Sequence, residues 1–252
     1  MNVDPISSIG FARGAEVYER VRPEYPDGAV DWAAERLGLG PGSAVLDLAA
    51  GTGKLTRALV ARKLKVVAVD PSAEMLAQLR TALPELDARE GTAEAIPLAD
   101  AAVSAVTVAQ AFHWFDPQPA LREMHRVLRP DGGLALFTNS RDENDPVQKA
   151  WQEIVRDVKA PVRDRETRDK RAELARSGLF TAPEEYEERW TQQLSADEFV
   201  GLVASRSYIS QLEEPERGRI LAEVRAAGER LGEPIPFRYV TQVWVARRVP
   251  AR

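Results

Sequence analysis

The chain has 252 residues, 44 % of them hydrophobic, with a formal net charge of −5 and no cysteine. Such a length and apolar content support a full hydrophobic core, so we predict a single domain over residues 1–252. The acidic balance argues against nucleic acid as a partner, and the lack of cysteine excludes disulfides, thiolate metal sites and cysteine nucleophiles.

The first predicted elements are a helix and a buried strand. They follow a segment, residues 1–27, that mixes aromatic residues, prolines and Arg22. Asp27 is a predicted N-cap, the apolar residues after it repeat at helical spacing, and Gly38 ends the helix. The short apolar run 45–48 then predicts a strand that is buried on both faces.

A turn rich in small residues separates this strand from the next helix pattern. Gly51 and Gly53 lack a β-carbon, so the backbone can take left-handed conformations there and a ligand can approach it closely. A dinucleotide fingerprint would need a third glycine where Thr56 stands, and a phosphate-binding P-loop would need a glycine five positions before Gly53. Asp47, near the strand end, would repel a pyrophosphate but suits a cationic ligand, either a sulfonium or an ammonium.

The next buried strand, residues 66–70, ends in a second acid, Asp70. A carboxylate at this place can accept hydrogen bonds from ribose hydroxyls, and Asp70 therefore predicts an adenosine ligand without choosing between cofactors. Ser72 begins a predicted helix, residues 86–90 are a weak strand candidate, and β-branched residues predict a strand over 103–109.

The turn after residues 103–109 is the predicted place of the substrate chemistry, because open α/β sheets bind ligands at the carboxyl ends of their strands. It reads Gln110-Ala111-Phe112-His113-Trp114-Phe115. Phe112 and Trp114 are candidate walls of an apolar substrate pocket, with simple packing as the alternative. His113 is the candidate catalytic base because an unperturbed imidazole titrates near neutral pH, with a structural histidine as the alternative. For His125, inside a helix pattern, we expect a surface or packing role.

The rest of the chain is predicted to complete the sheet around a helical insertion. Residues 134–137 predict a fifth strand. Residues 141 to about 232, rich in charges of both signs, read as the insertion, with a strand near 186–194. The alternation over 237–245 predicts a closing edge strand that pairs antiparallel with the sheet.

Four ordered motifs in this chain resemble the class I S-adenosylmethionine-dependent methyltransferases, of the small-molecule, type 11-like kind. They are Val45-Leu46-Asp47-Leu48-Ala49-Ala50-Gly51-Thr52-Gly53, Val69-Asp70-Pro71-Ser72, Gly91-Thr92-Ala93-Glu94 and Leu128-Arg129-Pro130-Asp131-Gly132-Gly133. Two positions depart from the family pattern. Ala49 stands where the family has its first glycine, and Thr92 stands where it often has an acid.

The resemblance implies an α/β fold with a Rossmann-like, seven-stranded, mostly parallel sheet flanked by helices. It implies a core formed by residues 28–140 and 236–248, and an N-terminal lid and substrate cap formed by residues 1–27 and 141–232. The implied activity is transfer of a methyl group from S-adenosylmethionine to an O, N or C atom of a small molecule, without a metal.

The implied cofactor contacts lie in the motifs, in the turn after 103–109 and in the lid, where Arg22 would meet the cofactor's carboxylate. They are Tyr18, Arg22, Asp47, Ala49, Gly51, Gly53, Asp70, Pro71, Thr92, Ala93 and Gln110. Either the Thr92 hydroxyl or the Ala93 backbone would contact the adenine. Arg206 and Tyr208 are candidates for the roof of the substrate pocket.

Two alternatives stay open, an NAD(P)-dependent oxidoreductase and a protein that binds S-adenosylmethionine without catalysis. The expected partner is a small-molecule methyl acceptor. Nucleic acid is not expected as a partner, because the chain is acidic. A membrane is not expected either, because the chain lacks an apolar run of the ~20 residues that a span needs. The lack of a signal-peptide core favours a cytoplasmic protein, either a monomer or a homodimer.

Overall fold

In the computed structural model, residues 21–142, 145–156 and 169–250 are described. Tyr18 and most of the predicted lid lie outside these residues. The strands are β1 Ala44–Leu48, β2 Lys65–Asp70, β3 Asp87–Glu90, β4 Val103–Ala109, β5 Leu128–Arg141, β6 Glu184–Leu194 and β7 Ile235–Arg247. The helices are α1 Asp27–Arg36, α2 Lys54–Ala61, α3 Ala73–Ala82, α4 Pro117–Val127, α5 Pro146–Ile154, α6 Lys170–Ser177, α7 Ala196–Ala204, α8 Ser207–Ser210 and α9 Glu216–Leu231, with a 3₁₀ turn at Phe112–Trp114.

The seven strands form one sheet in the order β3-β2-β1-β4-β5-β7-β6. Parallel pairing joins β1 to β2 and β4, β2 to β3, and β4 to β5. β7 runs antiparallel to β5, because Gly133 lies beside Ala246 whereas Asn139, further along β5, bonds to Thr241. The predicted fold class, a mostly parallel α/β sheet with flanking helices, is confirmed.

Two strand predictions were wrong in detail. β7 is not an edge strand, because it lies between β5 and β6, and β6 forms the edge. β5 begins at Leu128 and not at residue 134. Between Val103 and Ala105 of β4 the partner moves from Leu128 to Gly133, so the motif at residues 128–133 forms an irregularity within β5.

The chain divides into two compact units. The larger unit contains the described residues 24–139, 169–188 and 241–250, and the smaller unit contains 21–23, 140–142, 145–156 and 189–240. This division differs from the predicted core and cap in one main way, because residues 169–188 belong to the larger unit. There Leu174 joins the core and the Gln118 side chain donates to Glu173. The single domain stays a prediction.

Each unit has its own apolar core. In the larger unit, Leu46 and Leu48 pack on one face of β1 and Val45 on the other, as a central parallel strand covered by helices on both faces requires. The core of the smaller unit is rich in aromatic residues, among them Trp151 and Tyr239. Within the described part of the chain, no helix is long and apolar enough to cross a membrane.

Candidate functional site

The carboxyl ends of β1, β2 and β4 lie side by side in the larger unit. The strand registers place Leu48 beside both Val69 and Val108, so the chain leaves the three strands at one edge of the sheet. This carboxyl edge brings together the glycine turn, Asp70 and Gln110, which the sequence predicted as parts of one site.

The backbone at this edge is strained. Ala49, at φ +57°, and Gln110, at φ +56°, are two of the four non-glycine residues with positive φ in the described part of the chain. A left-handed conformation costs an L-residue roughly 1–2 kcal/mol, and such strain collects at ligand sites. The strain therefore marks the ends of β1 and β4 as candidate contact points.

The two glycines of the turn, Gly51 and Gly53, have different structural roles. Among the described residues, and apart from its two chain neighbours, Gly51, at φ +56°, has no atom within 4 Å of the place where a β-carbon would stand. A β-carbon on Gly53, at φ +88°, would collide with the Leu79 side chain of α3. Gly53 is thus required by packing, and Gly51 faces open space that a ligand can enter.

Asp70 joins the end of β2 to the glycine turn. One carboxylate oxygen accepts from the Gly51 amide and the other from the Ser72 amide, both at 2.8 Å. Burial raises the pKa of Asp70, and the two amide hydrogen bonds lower it. Since each oxygen has a second lone pair, the carboxylate can also accept from hydroxyls of a ligand. Pro71 is exposed directly beside it.

Asp47 lies inside the fold and not on the open side of the turn. Its side chain is 1 % exposed and accepts from the Thr56 hydroxyl of α2 at 2.6 Å and from the Thr107 hydroxyl of β4 at 3.0 Å. Desolvation raises the pKa of Asp47 to about 6, against the lowering effect of the two hydroxyls. At 1 % exposure the Asp47 carboxyl is shielded from solvent, and its predicted place near a cationic ligand stays a prediction.

Two threonine hydroxyls in the larger unit are buried without a hydrogen-bond partner among the described residues. They belong to Thr52, in the glycine turn, and Thr92, just after β3. The Gly91 amide donates to the Asp70 carbonyl, which ties the Thr92 segment to the same edge. The following residue, Ala93, is buried. Buried unpaired hydroxyls are costly, so both are candidate ligand contacts. Sequence reasoning missed Thr52, although a hydroxyl between two turn glycines was a usable signal.

Gln110 is held by a network that sequence reasoning also missed. Its side chain donates to the backbone carbonyl of Asn139 at 2.7 Å. The Asn139 side chain in turn accepts from the Thr241 hydroxyl at 2.5 Å and donates to the Glu24 carbonyl at 3.0 Å. The end of β4 is thereby fixed to β5, and β5 to β7.

The aromatic turn after β4 contains one buried ring, Phe112, and three half-buried rings, His113, Trp114 and Phe115. Phe112 is 3 % exposed and packs edge-on against Phe115, which argues against its predicted role as a pocket wall. His113 and Trp114 are half-buried, with ring centres 4.8 Å apart. His125 packs as expected, with its Nε2 2.7 Å from the Val249 carbonyl oxygen.

Three of the predicted site residues lie in the smaller unit. Arg22 donates to the hydroxyl of Ser205 at 3.1 Å and to its carbonyl at 3.0 Å. The Arg206 guanidinium lies 5.8 Å from the centre of the Trp151 ring, and Tyr208 is buried. Among the described residues, no three acidic or histidine side chains converge as a metal site would require.

Comparison with known proteins identifies the family to which this chain belongs. Residues 46–136 match the model of a methyltransferase domain. An uncharacterized methyltransferase of Mycobacterium tuberculosis strain H37Rv is 46 % identical over 222 residues, 86 % of this chain and 85 % of that protein. This chain belongs to the class I S-adenosylmethionine-dependent methyltransferases.

Two further comparisons support the assignment of this chain to the methyltransferases. An uncharacterized methyltransferase-like protein of Schizosaccharomyces pombe is 35 % identical over 248 residues, 93 % of this chain and 94 % of that protein. The crystal structure of the YcgJ protein of Bacillus subtilis shares the fold, with a TM-score of 0.56 and 19 % identity over 90 % of this chain and 100 % of that one. The predicted family and enzyme class are confirmed, and the oxidoreductase alternative is set aside.

Proposed function

We propose that this methyltransferase binds S-adenosylmethionine at the carboxyl edge of β1, β2 and β4 and methylates a small molecule. The observation that carries the proposal is the open space over Gly51, directly beside the Asp70 carboxylate. A ribose placed there would donate its hydroxyls to Asp70, and the strained backbone at Ala49 and Gln110 would lie on either side.

The remaining cofactor contacts follow from the same edge. The Thr92 hydroxyl, buried without a partner among the described residues, and the Ala93 backbone are the proposed contacts of the adenine. Pro71 offers a flat apolar edge next to Asp70. The net charge of −5 favours a small acceptor over nucleic acid, whose phosphates an acidic protein repels.

The chain's own residues would orient the acceptor and handle its proton. When bound, S-adenosylmethionine supplies an electrophilic methyl group on a sulfonium. The sheet edge would fix the direction of approach, and the apolar turn after β4 would exclude water. We propose that His113 takes the proton of a hydroxyl or amine acceptor, since imidazole titrates near neutral pH.

Calorimetry with three ligands tests the cofactor assignment. S-adenosylmethionine and its demethylated product should bind wild-type protein, and NAD should not. Gly51→Val should abolish binding by filling the open space with a branched side chain. Gly42→Val is the matched control, because Gly42 also has a positive φ, of +85°, and open space at its β-carbon. Gly51→Ala and Gly42→Ala form a second, less strained pair.

The outcomes separate the site from the fold. Equal loss of stability in both valine variants, with loss of binding only in Gly51→Val, supports the proposal. Tight binding by Gly51→Val, or binding of NAD in place of S-adenosylmethionine, contradicts it.

A further inference from the structure

Three arginines of the smaller unit converge on one buried phenol. The positive charges of Arg206, Arg22 and Arg141 all lower the pKa of Tyr239, against the larger effect of burial, which raises it. Two of these guanidiniums also lie over the same indole, Arg141 at 4.5 Å and Arg206 at 5.8 Å from the Trp151 ring centre. We call these three arginines and Tyr239 the arginine cluster.

Neighbouring side chains hold the arginine cluster in place. Trp151 is fully buried, and its indole nitrogen donates to the Gln148 side chain at 3.2 Å. Trp190 stacks on Tyr239 with ring centres 5.0 Å apart. Arg22 is fixed by its two hydrogen bonds to Ser205. A cationic group held in a fixed geometry loses little freedom when a ligand binds, which favours affinity.

Several buried hydrogen-bond donors of the smaller unit lack an acceptor among the described residues. The phenol oxygens of Tyr239 and Tyr208 and the Nε of Arg206 are buried and have no hydrogen-bond partner among the described residues. Tyr239 is only 2 % exposed, so bulk water does not reach its ring. A buried donor without an acceptor is costly, and several together beside guanidiniums define a place for a ligand that only accepts.

We propose that the arginine cluster binds the carboxylate of a small organic acid. A carboxylate is anionic, carries acceptors only, and matches the planar fork of a guanidinium. The flat rings of Trp151, Trp190 and Tyr239 suit a planar group.

Direct binding without cofactor tests the arginine cluster apart from methyl transfer. Benzoate and succinate are titrated into the wild-type protein by calorimetry, with benzamide, succinamide and inorganic phosphate as comparisons. We expect the acids to bind and the amides not to bind. Arg206→Met should weaken acid binding at least tenfold, and Tyr239→Phe and Tyr208→Phe should weaken it severalfold while keeping ring volume.

The matched controls are Arg225→Met and Tyr186→Phe. Arg225 forms an exposed ion pair with Asp197, and Tyr186 is hydrogen-bonded to Glu188 in the larger unit. Both should change acid binding less than twofold. Circular dichroism checks folding of each variant. Because Tyr239→Phe and Tyr208→Phe each remove a single unpaired hydroxyl, their melting temperatures without ligand should equal or exceed that of the wild type.

Titration of S-adenosylmethionine into the same variants identifies the source of the carboxylate. Unchanged cofactor affinity with weakened acid binding supports an acid site that is separate from the cofactor's. Weakened cofactor affinity with unchanged acid binding would assign the arginines to the cofactor's own carboxylate and overturn the proposal. Absence of acid binding, or tighter binding of phosphate, also overturns it. If the acids bind and S-adenosylmethionine does not, the proposed function fails while the acid site stands.

Discussion

Asp47 belongs to the predicted binding motif and also has a structural role within the fold. It ends a buried strand next to the glycine turn, where a ligand contact is plausible from the pattern alone. In the structure its carboxyl group links β1 to α2 and β4 through Thr56 and Thr107. The cost of burying that carboxyl gives the protein a pH dependence that can be measured.

Asp47→Asn should remove the part of the pH dependence of the unfolding free energy that comes from protonation of Asp47. The pKa of Asp47 in the folded protein is about 6, above the ordinary 3.8, so the folded state holds the proton more tightly than the unfolded chain. The stabilisation is complete below about pH 4 and is lost as the pH rises through about 6. The unfolding free energy of wild type minus that of Asp47→Asn should therefore fall by about 2 kcal/mol between pH 4.5 and 7.

Urea unfolding at a series of pH values measures this difference. Asp131→Asn, at an exposed position, is the matched control and should follow the wild type throughout. A difference between wild type and Asp47→Asn that stays constant, or grows with pH, would show that the buried carboxyl does not hold a proton near pH 6.

His113 is the second residue whose role kinetics can decide. If it takes a proton from the acceptor, His113→Ala should lower turnover by about 10²–10⁴-fold with unchanged affinity for S-adenosylmethionine. The wild-type rate should rise through the range where imidazole titrates, about pH 6–7. His125→Gln is the control, because His125 packs against Val249 and Phe180, away from the carboxyl edge.

Turnover against pH with an identified acceptor gives the answer. If the turnover–pH profiles of wild type and His113→Ala are parallel and differ by less than about threefold, His113 is not the general base. An acceptor that is methylated on a carboxylate, already ionised at neutral pH, needs no base. In that case His113→Ala would mainly raise the acceptor's KM.

At the scale of elements, Asn139 connects strands that are far apart in the chain. It lies near the end of β5 and receives the Gln110 side chain from the turn after β4 and the Thr241 hydroxyl from β7. Through its amide it also reaches the segment before α1 at Glu24. The conformation of Gln110 at the carboxyl edge therefore depends on pairing between β5 and β7.

A double-mutant cycle on Asn139 and Thr241 tests that dependence. Asn139→Ala and Thr241→Val should show a coupling of about 0.5–3 kcal/mol in unfolding free energy, as bonded neighbours do. Arg219 and Glu223, an exposed pair one turn apart in α9, form the control cycle, where about 0.5 kcal/mol or less is expected. Strictly additive effects of Asn139→Ala and Thr241→Val would exclude the connection.

For the whole molecule, cofactor binding should appear as added stability. A ligand that binds only the folded state adds about 2.7 kcal/mol at one hundred times its Kd. For a chain of this size that corresponds to a rise in Tm of about 5–10 °C. Differential scanning calorimetry should show this rise with S-adenosylmethionine for wild type and Gly42→Ala, and none for Gly51→Val. Equal shifts with NAD would contradict the cofactor assignment.

Local patterns predicted what local physics determines. β4 was predicted with its observed bounds because β-branched content marks a buried strand, and the carboxyl edge followed from strand ends and glycines. The position of β7 could not be read in this way, since its alternation is equally compatible with an edge or an interior place. The task of Asp47 depends on Thr56 and Thr107, the latter 60 residues away. The residues of the arginine cluster come from four distant segments of the chain, so no spacing in the sequence predicts the cluster.

The interior place of β7 sets the order in which the sheet can be assembled during synthesis. β7 is the last of the seven described strands to be synthesised, yet it lies between β5 and β6. Until residues 235–247 emerge, β6 has no neighbour in the described sheet and one side of β5 lacks its partner. Between the synthesis of β5 and that of β7, a nascent chain thus carries unpaired strand edges, and such edges pair readily with other chains. Chains that end before β7 should therefore associate with other chains more readily than chains that contain it.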